Sequence, residues 1–382
     1  MLYNYSDIKT IHLEITERCN VSCPQCGRNI NGGEENQYLN NNELSLIDIE
    51  KVIPTELIQQ LTHFYMCGNY GDPIVAKDTL DVFNYIRQNN SNILLSMNTN
   101  GSARTIEWWQ SLAKVFGKNG YVIFSIDGLE DTNHIYRKNT NWTKILENVK
   151  AFINAGGIAH WEFIVFKHNE HQVEQAEELS KKLGFEKFQL KKTARFISGL
   201  SGVIRNEVKL VDRKGNNFNI EMPTNPKYIN SGIKNYSNSQ RVETIVLPTT
   251  FEEIKDKLNP EVLQLNPNTS LYDKTEIDCK VKKEKSIYIS AEGIVQPCCW
   301  VASTMYSWYH SPRSTQIWKF INKVGKDKLN AHKHSLREII EGDYFTNLIS
   351  DSWTKPSCKD GKLAICAKTC GKDLETFSKQ YA

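Results

Sequence analysis

The chain has 382 residues, of which 40% are apolar, so it is long enough to bury a full core and a smaller second unit. Its 47 basic and 44 acidic residues give a formal charge of +3 without a long basic block, which does not favour nucleic acid as a partner. The segment MLYNYSDIKT does not resemble a secretory leader, and no apolar run in the sequence reaches membrane-spanning length. We therefore expect a cytoplasmic protein with no membrane partner.

The first half alternates short apolar strands with amphipathic helices, which is typical of a parallel sheet built from βα units. The predicted strands are 10–15, 63–66, 93–98, 121–126, 160–166 and 187–190, and the predicted helices are 48–61, 80–88, 105–116, 143–155 and 171–183. Six such units predict an α/β fold with a partial (β/α)6 parallel barrel. Functional groups of parallel barrels gather on the loops that follow the strands.

The rest of the chain has a different character. Residues 196–277 are rich in Asn, Lys and Pro and predict an irregular connector, which either covers the barrel mouth or is a plain surface linker. Residues 278–382 hold most of the later cysteines and predict a small domain built around metal. We therefore divide the chain into a barrel (1–195), a connector (196–277) and a cysteine-rich auxiliary domain (278–382).

The ten cysteines of a cytosolic chain favour metal or redox sites over disulfides. Cys19, Cys23 and Cys26 follow the first predicted strand, in the segment CNVSCPQCGR. Their soft thiolates suit an iron–sulfur cluster or zinc. Three thiolates are one fewer than a closed tetrahedral site needs, and no further Cys or His follows until His63. A zinc staple is the alternative to a cluster here.

The C-x3-C-x2-C spacing after a first strand resembles the radical S-adenosylmethionine (SAM) enzymes. In that family three cysteines bind a 4Fe–4S cluster, and SAM chelates the remaining iron, so the resemblance assigns Cys19, Cys23 and Cys26 to such a cluster. It also implies an external one-electron reductant, such as flavodoxin or ferredoxin. The electron would cleave SAM to a 5′-deoxyadenosyl radical, which removes hydrogen from a substrate C–H.

The loops after the next strands resemble the same family in their order. MCGNYGDPIV is similar to its glycine-rich GGEP turn, and SMNTNG, FSIDG and VFKHNEHQ follow the later strands. By this resemblance, glycines let backbone carbonyls approach the SAM amino group, and an arginine pairs with its carboxylate. The implied SAM contacts are Gly68, Gly71, Asp72, Ser96, Asn98, Ser125, Asp127, Arg137 and Asn169. Ordinary turn chemistry is the alternative for Asp72, Ser125 and Asp127.

The second cysteine group surrounds a predicted hairpin, SIYISAEGIVQP, which would bring Cys279 and Cys298 together. This pattern resembles the SPASM and Twitch domains, which hold auxiliary iron–sulfur clusters in many radical SAM enzymes. The cysteine count favours one auxiliary cluster of the Twitch type, with 4Fe–4S expected. The ligands chosen are Cys279, Cys298, Cys366 and Cys370, with Cys358 or Cys299 as replacements for one of them. A zinc site made from the same four thiols is the alternative.

The resemblance implies an oxidoreductase or maturase that crosslinks, epimerises or oxidises a ribosomally made peptide or protein. Two alternatives are a dehydrogenase of a small metabolite such as an aminocyclitol, and a non-catalytic binding protein stapled by zinc or a cluster. Because the cluster motif begins at Cys19, we expect no leader-binding domain before it. A peptide substrate would then need a separate recognition protein or direct binding in a groove.

Overall fold

The computed structural model describes residues 2–196, 204–236, 250, 252, 270–308 and 315–374. The strands are β1 (Thr10–Leu13), β2 (His63–Met66), β3 (Leu94–Thr99), β4 (Gly120–Ser125), β5 (Ile158–Ile164), β6 (Lys187–Lys191), β7 (Glu207–Val211), β8 (Asn217–Glu221), β9 (Ser286–Ile289) and β10 (Val295–Gln296). The helices of the first half are α1 (Leu46–Val52), α2 (Thr55–Gln60), α3 (Thr79–Asn89), α4 (Ile106–Phe116), α5 (Asn133–Tyr136), α6 (Trp142–Asn154) and α7 (Val173–Leu183).

The later helices are α8 (Ser270–Lys274), α9 (Lys280–Glu284), α10 (Cys299–Ser303), α11 (Gln316–Val324), α12 (Leu336–Ile340), α13 (Ile349–Trp353) and α14 (Ala364–Cys370). Short 3-10 turns lie at Tyr5–Asp7, Pro73–Val75, Gly117–Asn119, Glu170–Gln172, Pro226–Tyr228, Ser231–Tyr236 and Lys326–Leu329, and a π-helical turn lies at Tyr344–Leu348. None of the helices in these described ranges is long and apolar enough to cross a bilayer.

The central sheet carries the predicted parallel barrel. Strands β1 to β6 lie side by side in chain order, and every neighbouring pair is parallel. Because successive side chains of a strand alternate between two faces, one face packs against the helices and the other lines the interior, or lumen, of the barrel. The helix-facing layer is built from large buried residues such as Phe64, Phe124 and Trp161. The predicted partial barrel is confirmed.

The helices of the first half begin where the sequence places capping residues. Ser45, Thr105 and Asn141 each accept a hydrogen bond from a backbone N–H of the first turn of α1, α4 and α6. The single helix predicted over 48–61 is wrong, because α1 ends at Val52 and α2 begins after Pro54. Proline has no N–H to donate and forces the preceding residue towards extended backbone, so it separates the two helices.

The cysteine-rich region is built directly on the barrel. The predicted hairpin is present as β9 and β10, and β9 pairs in parallel with β1, opposite the side that β2 occupies. The C-terminal region therefore extends the barrel sheet beyond its first strand. The connector contributes the β7–β8 hairpin, whose Val208, Leu210 and Ile220 pack in one apolar cluster with Val21 and Cys23. Much of the remaining connector lies outside the described residues.

Candidate active site

The first three cysteines lie in one loop that leaves the end of β1. Cys23 is buried, Cys19 and Cys26 are half-buried, and the loop is folded by hydrogen bonds from Cys26 N to Cys23 O (3.1 Å) and from Asn29 N to Cys26 O (3.0 Å). Burial raises the pKa of all three thiols, and repulsion between neighbouring thiolates raises those of Cys19 and Cys23 further. Thiolates in this loop therefore need a cationic partner.

The glycine turn after β2 packs against the start of this cysteine loop. An ideal Cβ on Gly71 would lie 1.8 Å from the carbonyl oxygen of Thr16, and one on Gly68 would lie 2.1 Å from the carbonyl oxygen of Gly71. Both distances are far below any real Cβ contact. The two glycines thus let the turn close on itself and on the backbone that leads to Cys19, which gives them a packing role apart from the predicted SAM contact.

Asp72 joins three of the predicted loops. Its buried carboxylate accepts hydrogen bonds from Asn100 N (2.8 Å), Asn100 Nδ2 (2.7 Å) and Ile74 N (3.1 Å). Asn100 Nδ2 also donates to Asn20 Oδ1 at 2.9 Å, beside Cys19. Burial raises the pKa of Asp72. The loops after β1, β2 and β3 are therefore held together by one buried hydrogen-bonded group, with Asn100 as its centre.

The predicted residues of β3 and β4 line the lumen. Ser96 is buried and its hydroxyl lies 2.8 Å from His63 Nε2 on the neighbouring strand, while Asn98 is half-buried two positions further along the same face. Ser125 is half-buried at the end of β4, in register with Glu162 of β5. The structure therefore brings these three side chains to the interior where the loops converge.

Asp127, Arg137 and Asn169 form a chain of buried contacts behind the cysteine loop. Asp127 Oδ2 accepts from Arg137 Nε at 2.6 Å, and Arg137 Nη1 lies 3.8 Å from Cys23 Sγ. Asn169 is fully buried and its amide donates to Asp127 O and Ile164 O, both at 2.9 Å, and accepts from Phe166 N at 2.7 Å. The side chain of Asn169 thus holds the backbone around Asp127.

Several polar residues of the lumen were not predicted. Glu14 is buried, accepts from Tyr70 N (2.7 Å), Gly71 N (3.1 Å) and the hydroxyl of Tyr288, and has a pKa that burial raises to about 7. Glu162 and Lys191 form an ion pair of 3.0 Å across β5 and β6. The sequence did contain a signal for Glu14. The segment IHLEIT alternates apolar and polar residues, and the polar positions of a barrel strand face the lumen.

Most of the later cysteines line one cavity beside the barrel strands β1 and β2. It measures about 210 Å³ and is lined by Cys279, Cys298, Cys299, Cys366 and Cys370 together with His12 and Tyr65 of β1 and β2. The four predicted ligands therefore line one cavity, with Cys299 beside them. Cys358 is not among its lining residues, since it is buried in another apolar cluster where its N–H donates to Asp273 at 2.7 Å.

The thiols of this cavity affect one another. Burial raises the pKa of Cys298 to about 12 and raises that of Cys366, with added repulsion between these thiols and Cys370. The side chain of Trp353, in the same wall, hydrogen-bonds the Cys366 thiol, which partly offsets the rise in the pKa of that cysteine. Across the described ranges, no group of three or more His, Cys, Asp or Glu side chains is arranged to hold a single metal ion.

The chain is similar to one protein family and to several solved structures. Residues 13–193 match the family model described as the Radical SAM superfamily. The chain is similar to Streptococcus suis SuiB bound to precursor peptide SuiA, at a TM-score of 0.54 and 14% identity over 95% of this chain and 72% of that chain. It is also similar to native anSMEcpe with bound AdoMet (SAM), at a TM-score of 0.51 and 14% identity over 95% and 89% of the two chains.

At these identities the two solved structures share the fold with this chain and nothing finer. A comparison with curated proteins finds no match. The family match begins at the last residue of β1 and spans the cysteine loop, the glycine turn and strands β2 to β6. Residues 13–193 thus form a radical SAM domain, which indicates an enzyme rather than a non-catalytic binding protein.

Proposed function

We propose that this enzyme cleaves SAM reductively at a 4Fe–4S cluster held by Cys19, Cys23 and Cys26, and that its substrate is a ribosomally made peptide or protein. The observation that carries the proposal is the set of three thiols in one loop after β1, inside the segment that matches the family. With cluster and SAM bound, the chemistry supplied is a 5′-deoxyadenosyl radical that removes hydrogen from a substrate C–H.

The residues present fit such a cluster. The thiols are soft ligands, and burial raises their pKa values, an effect that a bound metal centre would offset. The loop itself offers three thiols, which suits a cluster whose remaining iron is left for SAM. The β7–β8 hairpin packs on Val21 and Cys23, so it would exclude water from one side of the loop.

The predicted SAM contacts remain part of this proposal. Ser96, Asn98 and Ser125 line the lumen next to the loops, and they would meet the nucleoside or the substrate. Gly68, Gly71 and Asp72 would shape the turn that faces the SAM amino acid, and Asp127, Arg137 and Asn169 would support the opposite side. An external one-electron donor, such as flavodoxin or ferredoxin, is required for turnover.

We further propose that Cys279, Cys298, Cys366 and Cys370 hold one auxiliary iron–sulfur cluster in a Twitch-type domain. A zinc ion is enclosed by its four sulfurs at about 2.3 Å and needs no additional space. The cavity that these thiols line together with apolar side chains such as Val281 and Ile349 has about 210 Å³, which leaves more room than a single ion needs. The side chain of Trp353 in its wall hydrogen-bonds the Cys366 thiol, and such a contact would orient a cluster ligand and stabilise its thiolate.

A peptide substrate is supported by the two structural relatives. SuiB is described with a bound precursor peptide, and anSMEcpe is described with bound AdoMet and with a bound peptide, the latter at a TM-score of 0.50. Both cover 95% of this chain, including the cysteine-rich region. An auxiliary cluster beside the lumen would accept an electron from a substrate radical, which favours a net oxidation of the peptide.

Anaerobically reconstituted protein with dithionite and SAM tests the proposal. We expect about eight iron atoms per chain, together with 5′-deoxyadenosine and methionine. Cys23→Ala should lose both products, and Cys366→Ala should retain about four iron atoms and still cleave SAM. Cys358→Ala is the matched control, because that buried cysteine lies outside the cavity, and it should keep all of the iron.

Absence of 5′-deoxyadenosine from iron-loaded wild type would contradict the catalytic proposal. Zinc in place of the second set of iron atoms would contradict the auxiliary cluster alone. The substrate class is tested by incubation with short peptides encoded beside the gene, followed by mass spectrometry. A mass loss of about two hydrogens, or an unchanged mass with an inverted residue, would support a peptide substrate, whereas conversion of a small metabolite alone would contradict it.

A further inference from the structure

Arg137 is held between an acid and a cysteine of the barrel loop. Its Nε donates to Asp127 Oδ2 at 2.6 Å, and its Nη1 lies 3.8 Å from Cys23 Sγ. The side chain of Asp127 is fully buried, and that of Arg137 is 16% exposed. A buried guanidinium therefore stands in contact with a thiol that we assign to the cluster.

The acid that holds Arg137 is itself fixed in place. Asp127 Oδ1 accepts from Ile164 N at 2.6 Å, and its backbone N–H donates to Asn133 Oδ1 at 2.9 Å. The amide of Asn169 donates to its carbonyl oxygen. Three separate elements thus hold Asp127, so its carboxylate cannot turn away from Arg137 without breaking hydrogen bonds in a buried region, each of which is costly.

The arginine is fixed on its other side as well. Its guanidinium carbon lies 5.6 Å from the ring centre of Tyr136, a residue that is buried to 1% exposure. Arg137 follows the last residue of α5, and its backbone N–H donates to the carbonyl oxygen of Asn133, the first residue of that helix. The positive charge is therefore preorganised at Cys23.

A cluster gains one negative charge when it is reduced, so a fixed cation at a ligand sulfur stabilises the reduced state, and hydrogen bonds to cluster sulfurs have the same effect. A carboxylate behind the cation opposes this effect. We propose that the Asp127–Arg137 pair sets the reduction potential of the barrel cluster through the contact of Arg137 with Cys23. The inference rests on the proposed function, because it assumes the cluster.

This role differs from the one that the sequence predicts for the two residues. The sequence resemblance directs Arg137 to the carboxylate of SAM and Asp127 to the cofactor, so it implies an effect that exists only with SAM bound. The contact with Cys23 implies an effect on the cluster before SAM binds. Measurements without SAM therefore separate the two roles.

The experiment is a redox titration of the reconstituted protein in the absence of SAM, followed by electron paramagnetic resonance. It is performed in the Cys366→Ala background, so that only the barrel cluster contributes. Arg137→Gln should shift the potential to more negative values, because it removes the cation. Asp127→Asn should shift it to less negative values, because it keeps the hydrogen-bonding shape and leaves the cation uncompensated. Opposite signs are the signature of an electrostatic role.

Two further variants complete the test. Arg137→Lys keeps the charge and should recover part of the shift seen in Arg137→Gln, even though lysine lacks the forked geometry. Lys181→Gln removes an exposed cation that pairs with Glu177 on α7, and it should leave the potential unchanged.

Shifts of the same sign in Arg137→Gln and Asp127→Asn, or no shift in either, would overturn the inference. So would an unchanged potential in Arg137→Gln combined with weaker SAM binding, which would assign Arg137 to SAM. Failure of the proposed function is distinguishable, because wild type would then lack the reducible cluster signal altogether.

Discussion

Replacement of Gly71 by alanine tests whether the glycine turn serves packing or SAM. An ideal Cβ there would lie 1.8 Å from Thr16 O, 2.6 Å from Thr16 C and 3.0 Å from Arg18 O. All three are backbone atoms, so the clash cannot be relieved by a side-chain rotation. Normal Cβ contacts begin near 3.4 Å, and the turn or the segment before Cys19 must therefore move by more than an ångström.

Overpacking of a well-packed site costs about 1 to 3 kcal/mol, and a clash with backbone belongs at the upper end of that range or above it. Gly71 also donates its N–H to Glu14, and Asp72 N donates to Arg18 O at 2.9 Å, so the displacement would strain two hydrogen bonds. We expect Gly71→Ala to lower the free energy of unfolding by about 3 kcal/mol and the melting temperature by about 4 °C.

The assay is thermal unfolding of the metal-free protein, together with iron content after reconstitution. Gly27→Ala is the matched control, because Gly27 lies in the cysteine loop and the nearest atom to its added Cβ is Cε1 of the Tyr70 ring, at 3.3 Å. A ring can shift slightly, so this variant should lose less than about 1 kcal/mol. If Gly71→Ala melted like wild type and bound iron but lost SAM binding, the packing argument would be refuted in favour of direct contact.

Two other predictions concern stability. The guanidinium of Arg87 donates to the carbonyl oxygens of Ser91, Ile93, Val115, Phe116 and Asn119. Arg87→Ala should therefore lower the free energy of unfolding in urea by roughly 3 kcal/mol. Arg87→Lys should fail to restore most of this stability, because lysine lacks the forked guanidinium. Burial lowers the pKa of His63 to about 4 from 6.5, so its contribution is present above pH 6.5 and is lost as the pH falls towards 4. When the pH is lowered from 7.5 to 5, the free energy of unfolding of His63→Gln should therefore fall by about 2 kcal/mol less than that of wild type in the same urea assay. An equal fall in both proteins would contradict this.

The sequence was sufficient for the barrel because its signals are local. Each strand is a short apolar run between turn residues, and each predicted strand is found in chain order. The failure at 48–61 was avoidable, since Pro54 stands in the middle of that segment. The pairing of β9 with β1 was not predictable, because it joins Thr10 to Ser286 and no local pattern records which sheet edge a distant hairpin will choose.

The site likewise has a part that local sequence signals predict and a part that depends on contacts between distant residues. The cysteine spacing predicts the proposed cluster loop because Cys19, Cys23 and Cys26 lie within eight residues, so residues close in sequence are also close in space. The partners of Asp127 and Arg137 are set by where loops cross, and Cys23 is 114 residues from Arg137 in the chain. The resemblance gave these residues a place near the cofactor, but only the folded arrangement supplies the contact with Cys23.

The pairing of β9 with β1 also brings the two cysteine groups against one short turn. The carbonyl oxygen of Asn69 lies 3.9 Å from Cys26 Sγ, and its side-chain amide donates to Cys299 O at 2.9 Å and to the hydroxyl of Tyr288 at 3.3 Å. The residue next to it, Tyr70, donates to Ser303 O at 3.0 Å. The turn after β2 thus contacts the barrel loop and helix α10 together. Because Asn69 contacts both groups, we expect Asn69→Ala to lower the iron content of both proposed sites after reconstitution, whereas the loss of a single auxiliary thiol in Cys366→Ala leaves this turn and the barrel site in place. A full iron content in Asn69→Ala would contradict this role of the turn.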